Sequence, residues 1–210
     1  MYNLVLKRGF EEEVRSELLS SLTEAKKRGW RVILLQDSRY KKLDFFDFDI
    51  VIDDTSPEKD FANFHNRVYL NIPHGEWVLF LDFDEYFSID FFDKVPKYVS
   101  SKKYTSYDIP RVNVIIPQDK TAEVCKLYGW FKVDVMTKEM GLVKAVNFPD
   151  FQSRLHRSGF GKWYGKVHER FIPKNAFAHS KIPFEVGYIL HVKTYLKQIE
   201  DNRRWETYQK

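Results

Sequence analysis

Three carboxylates, Asp82, Asp84 and Glu85, stand within four positions directly after the apolar run Trp77-Val78-Leu79-Phe80-Leu81. Two acids at i and i+2 in extended backbone point to the same side. Like charges so placed repel, and they are costly at the edge of a core unless a cation lies between them or water reaches them. Hard divalent cations such as Mg²⁺ and Mn²⁺ take oxygen ligands and keep positions open for water and substrate phosphates. The spacing therefore points to a metal or phosphate site with Asp82 and Asp84 as its first candidate ligands. Asp-x-Asp alone also fits a solvated acidic loop. Glu85 fits a further ligand, a cap on the next helix or a support for a neighbouring base. Position favours ligation, because ligands of open α/β sheets bind just beyond the C-terminal ends of the strands.

The elements that must position these residues are legible from periodicity. Trp77–Leu81 reads as a strand buried on both faces. Tyr2–Lys7, Arg31–Gln36 and Ile50–Ile52 read as further strands. Between them, Glu11–Arg28 reads as an amphipathic helix with Leu18, Leu22 and Ala25 on one face and Gly29 as its stop. Asp60–Ile72 reads as a second helix, ended by Pro73-His74-Gly75. This alternation predicts an α/β fold with a mostly parallel, doubly wound central sheet flanked by helices. Further on, the sequence predicts a helix over Ser88–Val99 and strands over Ser106–Ile116 and Phe131–Met136. Lys144–Leu155, Trp163–Phe171 and Val186–Val192 read as short aromatic segments interrupted by Gly and Pro, and Thr194–Lys210 as a polar terminal helix. One domain is expected over residues 1–210, with a nucleotide-binding half (1–85) and an acceptor-shaping half (86–210).

Composition narrows the function classes. Of 210 residues, 43% are apolar, enough for a substantial core, and 18 Phe and 12 Tyr suggest stacking sites as well. A net charge of +4 suits an anionic small-molecule donor or a weak membrane-surface attraction, and falls short of a nucleic-acid footprint. The single cysteine, Cys125, excludes an intrachain disulfide framework and a Cys-rich zinc site, so a reducing, cytoplasmic location is expected. No apolar run approaches the ~18 residues needed for a transmembrane span.

Four segments in order resemble the family 2 glycosyltransferases of the GT-A fold. The first is Asp60-Phe61-Ala62-x-x-His65-Asn66 leading to Gly75-Glu76-Trp77 and on through Asp82-x-Asp84-Glu85. The others are Pro149-Asp150-x-Gln152-x-Arg154-Leu155, Trp163-x-Gly165-x-Val167-His168-Glu169 and Ile189-Leu190-His191. The resemblance implies sugar transfer from a UDP- or GDP-sugar to a glycan, glycoprotein or lipid-linked acceptor, with inversion, and with Mn²⁺ or Mg²⁺ on the diphosphate. It implies that Asp60, His65, Asn66, Asp82 and Arg154 face the donor and that His191 joins Asp82 and Asp84 around the metal. His65 stands where the family has Arg, which makes a pyrophosphate contact there weaker and pH-dependent. The N-terminus is short against the family pattern, and Asp37 is the match for the acid that reads the base or ribose.

Inverting transfer needs a carboxylate to take the acceptor's hydroxyl proton. Asp150 is the first candidate, with an N-cap as its alternative; Glu169 competes for the role, with acceptor orientation as its alternative. A strand-end histidine such as His191 also fits a purely structural role. Arg154 and Arg157 fit phosphate contacts or surface ion pairs. Lys193, Lys197, Arg203 and Arg204 read as a solvated helix face, with contact to an anionic lipid or a diphosphate as the lesser reading. Trp130, Trp163 and Tyr164 fit sugar stacking or core packing. Two other function classes remain open at this level. A metal-dependent nucleotidyl or phosphoryl transferase would use the same acidic pair, although no phosphate-cradling G-x-x-x-x-G-K-[ST] loop occurs. A non-catalytic nucleotide-sugar-binding module would keep only the donor contacts.

Overall fold

The computed structural model describes residues 1–8, 14–39, 45–54, 61–100, 103–165, 170–175 and 178–208. Four strands come first, β1 (Tyr2–Arg8), β2 (Arg31–Asp37), β3 (Ile50–Asp54) and β4 (Trp77–Asp82). They lie parallel in the order β3-β2-β1-β4. The apolar runs alternate between two cores. Leu4, Leu6, Val32, Leu34, Leu79 and Leu81 pack on one face. Val5, Ile33, Leu35, Val78 and Phe80 pack on the other. Helix α1 (Ser16–Lys27) covers the first face with Leu18, Leu22 and Ala25. Helix α2 (Phe61–Val68) covers the second with Ala62 and Val68. It ends earlier than the periodicity predicts, because the amides of Tyr69, Leu70 and Asn71 bond to the carbonyls three residues back. That tighter winding ends a regular helix.

The second half comprises β5 (Glu85–Phe87), α3 (Phe91–Ser100), β6 (Ser106–Ile116), α4 (Thr121–Tyr128), β7 (Lys132–Thr137), β8 (Gly141–Arg157), β9 (Gly161–Tyr164), β10 (Arg170–Pro173), β11 (His179–Lys181), β12 (Ile189–Thr194) and α5 (Tyr195–Tyr208). The sheet continues past β4 as β8-β6-β12-β5. Strand β8 runs antiparallel to both β4 and β6, β12 runs parallel to β6, and β5 closes antiparallel to β12. The molecule is thus α/β, with a sheet that is parallel in its first half and mixed in its second. Strands β9 and β10 form a separate antiparallel pair whose Trp163 and Phe171 pack into the α2 face.

Two elements differ from the sequence reading. The short segment expected at Lys144–Leu155 is part of a single 17-residue strand. It continues through Pro149 by bulging: Arg111 pairs with Asp150 and Asn113 with Val146, so residues 147–149 face Val112 alone. Asn147 takes a positive φ of 52° there, a conformation that Asn tolerates better than most residues. Helix α4 has only eight residues, with Thr121, Val124 and Cys125 turned inward. Among the described residues, no helix is long and apolar enough to cross a membrane.

Candidate functional site

The strand register assembles the site. Across the sheet, Glu85 of β5 pairs with His191 of β12, and His191 pairs with Asn113 of β6. One step along β6, Arg111 pairs with Asp150 of β8. On the other side of β8, Lys7 of β1 pairs with Asp82 of β4. Bulges re-aim side chains beside functional sites, and the bulge of β8 lets both Arg111 and Asn113 reach Asp150.

The side chains form a continuous polar chain. Asp82 accepts from Lys7 at 2.6 Å through Oδ1 and from Arg154 through Oδ2. Arg154 also donates to Glu85 Oε1 at 2.9 Å, and Arg111 reaches the same oxygen at 2.9 Å. Arg111 donates to Asp150 Oδ2 at 2.7 and 2.9 Å. Asn113 Nδ2 donates to that oxygen at 2.9 Å, and Gln152 donates to Oδ1 at 2.7 Å. Glu85 is fully buried, and a buried charge persists only when paired. Its other oxygen accepts the Asp82 amide at 3.0 Å, so it holds the end of β4 as well as both arginines.

Electrostatics keep the acids ionised. Burial works against the charged form of Asp82, but Arg154 and Lys7 outweigh it and hold its carboxyl well below the usual range. Burial also opposes Asp84, where His191 and Lys193 prevail and set its pKa far below normal. Asp150 follows the same pattern: burial raises it, and Arg111, Asn113 and Gln152 bring it below an ordinary carboxylate.

Asp84 departs from the expected geometry. It lies in the turn after β4, so the same-side rule of an extended chain does not extend to it. It faces away from the partners of Asp82, toward His191 Nε2 at 3.1 Å and Lys193 Nζ at 3.2 Å. The ring's protonation follows from its other side. Asn113 Nδ2 faces two acceptors, Asp150 Oδ2 and Val146 O, so its Oδ1 faces His191 Nδ1 at 2.8 Å. Nδ1 must then carry the hydrogen and donate. In the neutral ring, Nε2 turns a lone pair toward the Asp84 carboxylate. Two lone pairs 3.1 Å apart call for a proton or a metal ion between them. Asp84 and His191 could therefore hold a divalent cation, with the His191 ring oriented from behind by Asn113 in the way metal-ligating histidines usually are. Among the described residues, no third His, Cys, Asp or Glu joins them. The remaining positions would fall to water and substrate phosphates, as Mg²⁺ and Mn²⁺ sites commonly arrange.

The other expected residues are placed as follows. Asp37 ends β2 at the same sheet edge and is tied to Arg39, whose hydrogen bonds lower its carboxyl. His65 is not in the cluster: it is buried beneath it against Phe80 and Trp163, with ring centroids at 5.1 and 4.4 Å. Asn66 bonds the backbone of Trp163 in both directions at 3.0 Å. Asp60 and Glu169 lie outside the described residues. Asp150 is in a strand, which removes the N-cap alternative. Lys193 corrects its reading as part of a solvated helix face. It belongs to β12 and bridges Asp84 to Asp201, 2.7 Å away, so its ammonium is held charged against burial. Arg157 lies over the Trp77 ring, and Trp163 is core, whereas Tyr164 is exposed. Sequence reasoning missed Lys7, Arg111 and Asn113. The signal for the last two was present: Arg111 and Asn113 alternate with buried Val112 and Val114 inside one strand, and polar groups so deep in a sheet need internal partners.

No family model and no curated protein matches the chain. Similar solved structures include TarS from S. aureus, with 16% identity, 55% of this chain and 22% of that chain covered and a TM-score of 0.41. They also include S. aureus TarS 1-349, with 15% identity, coverage of 76% and 47% and a TM-score of 0.46. HddC from Yersinia pseudotuberculosis shares 12% identity over 92% of this chain and 90% of its own, at a TM-score of 0.37. The chain thus spans less than half the length of either TarS chain.

Proposed function

We propose that the chain is a nucleotide-sugar-dependent glycosyltransferase that inverts the anomeric carbon and works with Mn²⁺ or Mg²⁺ held by Asp84 and His191. The observation that supports this most is the convergence of a base candidate, Asp150, with that pair through one shared residue, Asn113, beyond the end of β4. Charge supports the metal. Asp82, Asp84, Glu85 and Asp150 already face Lys7, Lys193, Arg154 and Arg111. These four cations are already paired with acids of the site, so an incoming diphosphate needs positive charge beyond what they offer. When bound, the metal supplies that charge and stabilises the departing nucleoside diphosphate.

The residues of the chain do the rest. Asp150 Oδ2 is held by Arg111 and Asn113, which leaves Oδ1, bonded among the described residues to Gln152, as the oxygen that takes the acceptor hydroxyl's proton. As that proton leaves, the acceptor oxygen bonds to the anomeric carbon and the bond to the diphosphate breaks on the opposite face. Lys193, beside Asp84, shares the leaving group's charge. Asp37, further along the same edge, suits the nucleoside. A glycan, glycoprotein or lipid-linked hydroxyl is the acceptor class this chemistry serves.

The test is a thermal-shift panel of UDP- and GDP-sugars with and without Mn²⁺, followed by donor hydrolysis. Stabilisation by one donor that needs Mn²⁺ and vanishes in Asp84→Ala is expected. Asp150→Asn should keep donor binding and lose about 100-fold or more in turnover, the range of a positioned base. Absence of any metal-dependent nucleotide binding would sink the reading.

A further inference from the structure

Asn113 occupies the centre of β6 with one end of its amide on each half of the proposed chemistry. Its oxygen accepts from His191 Nδ1 at 2.8 Å, and its nitrogen donates to Asp150 at 2.9 Å. Three separate strands meet at this one side chain. Register sets Asn113 beside His191 on β12, and the β8 bulge brings Asp150 to its other side. A carboxylate at this position would repel Asp150, and an ammonium would offer His191 nothing to donate to. Only a side-chain amide carries an acceptor and a donor at the needed separation.

We propose that Asn113 is a positioning residue that couples the base to the metal shell, fixing the distance between the attacking hydroxyl at Asp150 and the anomeric carbon of the donor held at Asp84 and His191; this rests on the glycosyltransferase reading above. Its acceptor oxygen keeps the His191 hydrogen on Nδ1 and the Nε2 lone pair aimed at the metal position. Its donor nitrogen keeps Asp150 Oδ2 turned inward and Oδ1 outward. One rigid amide thereby sets both ends of the reaction coordinate, and Val146 O, 3.3 Å from Nδ2, holds the amide in that orientation.

Two variants separate the two functions. Asn113→Asp keeps the oxygen facing His191 and replaces the donor facing Asp150 with a second acceptor. Asn113→Leu removes both contacts. Mn²⁺ affinity is measured by titration calorimetry in the presence of UDP or GDP, whichever the intact protein binds, and turnover by Mn²⁺-dependent hydrolysis of the matching nucleotide-sugar. Asn113→Asp should retain Mn²⁺ affinity while kcat falls about 10-fold or more. Asn113→Leu should lose both, with Mn²⁺ affinity down about 10- to 100-fold, the scale of lost support behind a metal ligand. Unfolding midpoints establish that each variant is folded at the assay temperature. An Asn113→Asp variant that lowers affinity and turnover in equal proportion, or an Asn113→Leu variant that changes neither, would overturn the coupling while Asp84→Ala still abolishes metal binding. An intact protein that binds no Mn²⁺ with either nucleotide would overturn the glycosyltransferase reading and the coupling with it.

Discussion

Arg111 shows how much of the site's chemistry lies in residues that carry no motif. Its guanidinium touches Glu85 through one nitrogen and Asp150 through two others, so a single cation satisfies a buried acid and tunes the candidate base. Asp150 must be ionised to accept a proton, so activity falls as pH drops through its pKa. With that pKa held below the ordinary carboxylate range, the acidic limb of kcat/KM should lie below the pH at which an ordinary carboxylate titrates. Arg111→Gln removes the neighbouring positive charge and should move that limb upward by about one unit or more. Glu85 keeps Arg154 in this variant, which preserves one partner for the buried acid. A limb that stays in place would show that the hydrogen bonds of Asn113 and Gln152 alone set the ionisation of Asp150. Asp82, Asp84, His191, Asp150 and Arg154 all fall in the motif segments of the sequence, Asp82 and Asp84 at and after the end of β4 and the others within β8 and β12. Arg111, Asn113 and Lys7 do not, and their importance comes from cross-strand register, which a single sequence does not state.

At the scale of elements, α2 and β9 show a side chain acting as backbone. Asn66 donates to the Trp163 carbonyl and accepts from the Trp163 amide, both at 3.0 Å, so a helix is docked to a strand as though by a ladder pair. The position was expected to face the donor, and this pairing is what the fold has it do. Asn66→Ala strips both partners from a residue whose ring is buried in the second core, and leaving such groups unmet costs about 1–3 kcal/mol. The midpoint of chemical denaturation should fall accordingly, with Mn²⁺-dependent nucleotide affinity unchanged. A loss of affinity at unchanged stability would place Asn66 at the donor instead. The same scale explains which elements were legible. Strands β1, β2 and β4 announce themselves because both faces are buried and the runs are unbroken. Strand β8 does not, because Pro149 and the bulge at residues 147–149 interrupt its pattern while its neighbours keep it in the sheet. Helix α4 is too short for periodicity to register, and its stop, Gly129 at φ 68°, is the one local signal it offers.

For the whole molecule, the charged cluster and the apolar cores respond to acid in separate pH windows. His65 and His156 lie in the core beneath the site, with His156 stacked on Phe171 at 3.8 Å and both rings close to Trp163. Burial is the main cause of their pKa values lying well below the usual histidine range. A group whose folded pKa is depressed stabilises the fold above its unfolded pKa and withdraws that stability as pH falls. For histidine the unfolded value is about 6.5, so the loss begins there. The unfolded chain takes up protons that the folded chain refuses, and each such histidine costs about 1.4 kcal/mol per pH unit on the way down. The carboxylates Asp82, Asp84 and Asp150 are depressed too, but their unfolded values lie near 4, so their contribution is retained until pH falls below about 4. Between about pH 6 and 4.5 the two buried histidines therefore dominate this pair of effects. Replacing His65 with Phe keeps an aromatic ring against Phe80 and Trp163 and removes one titrating group. Urea unfolding of His65→Phe at several pH values in this window should show the dependence of stability on pH reduced by about 1.4 kcal/mol per unit relative to the intact chain. An unchanged slope would mean that His65 takes up its proton in the folded state, and that the core around Trp163 accommodates a charge its burial argues against.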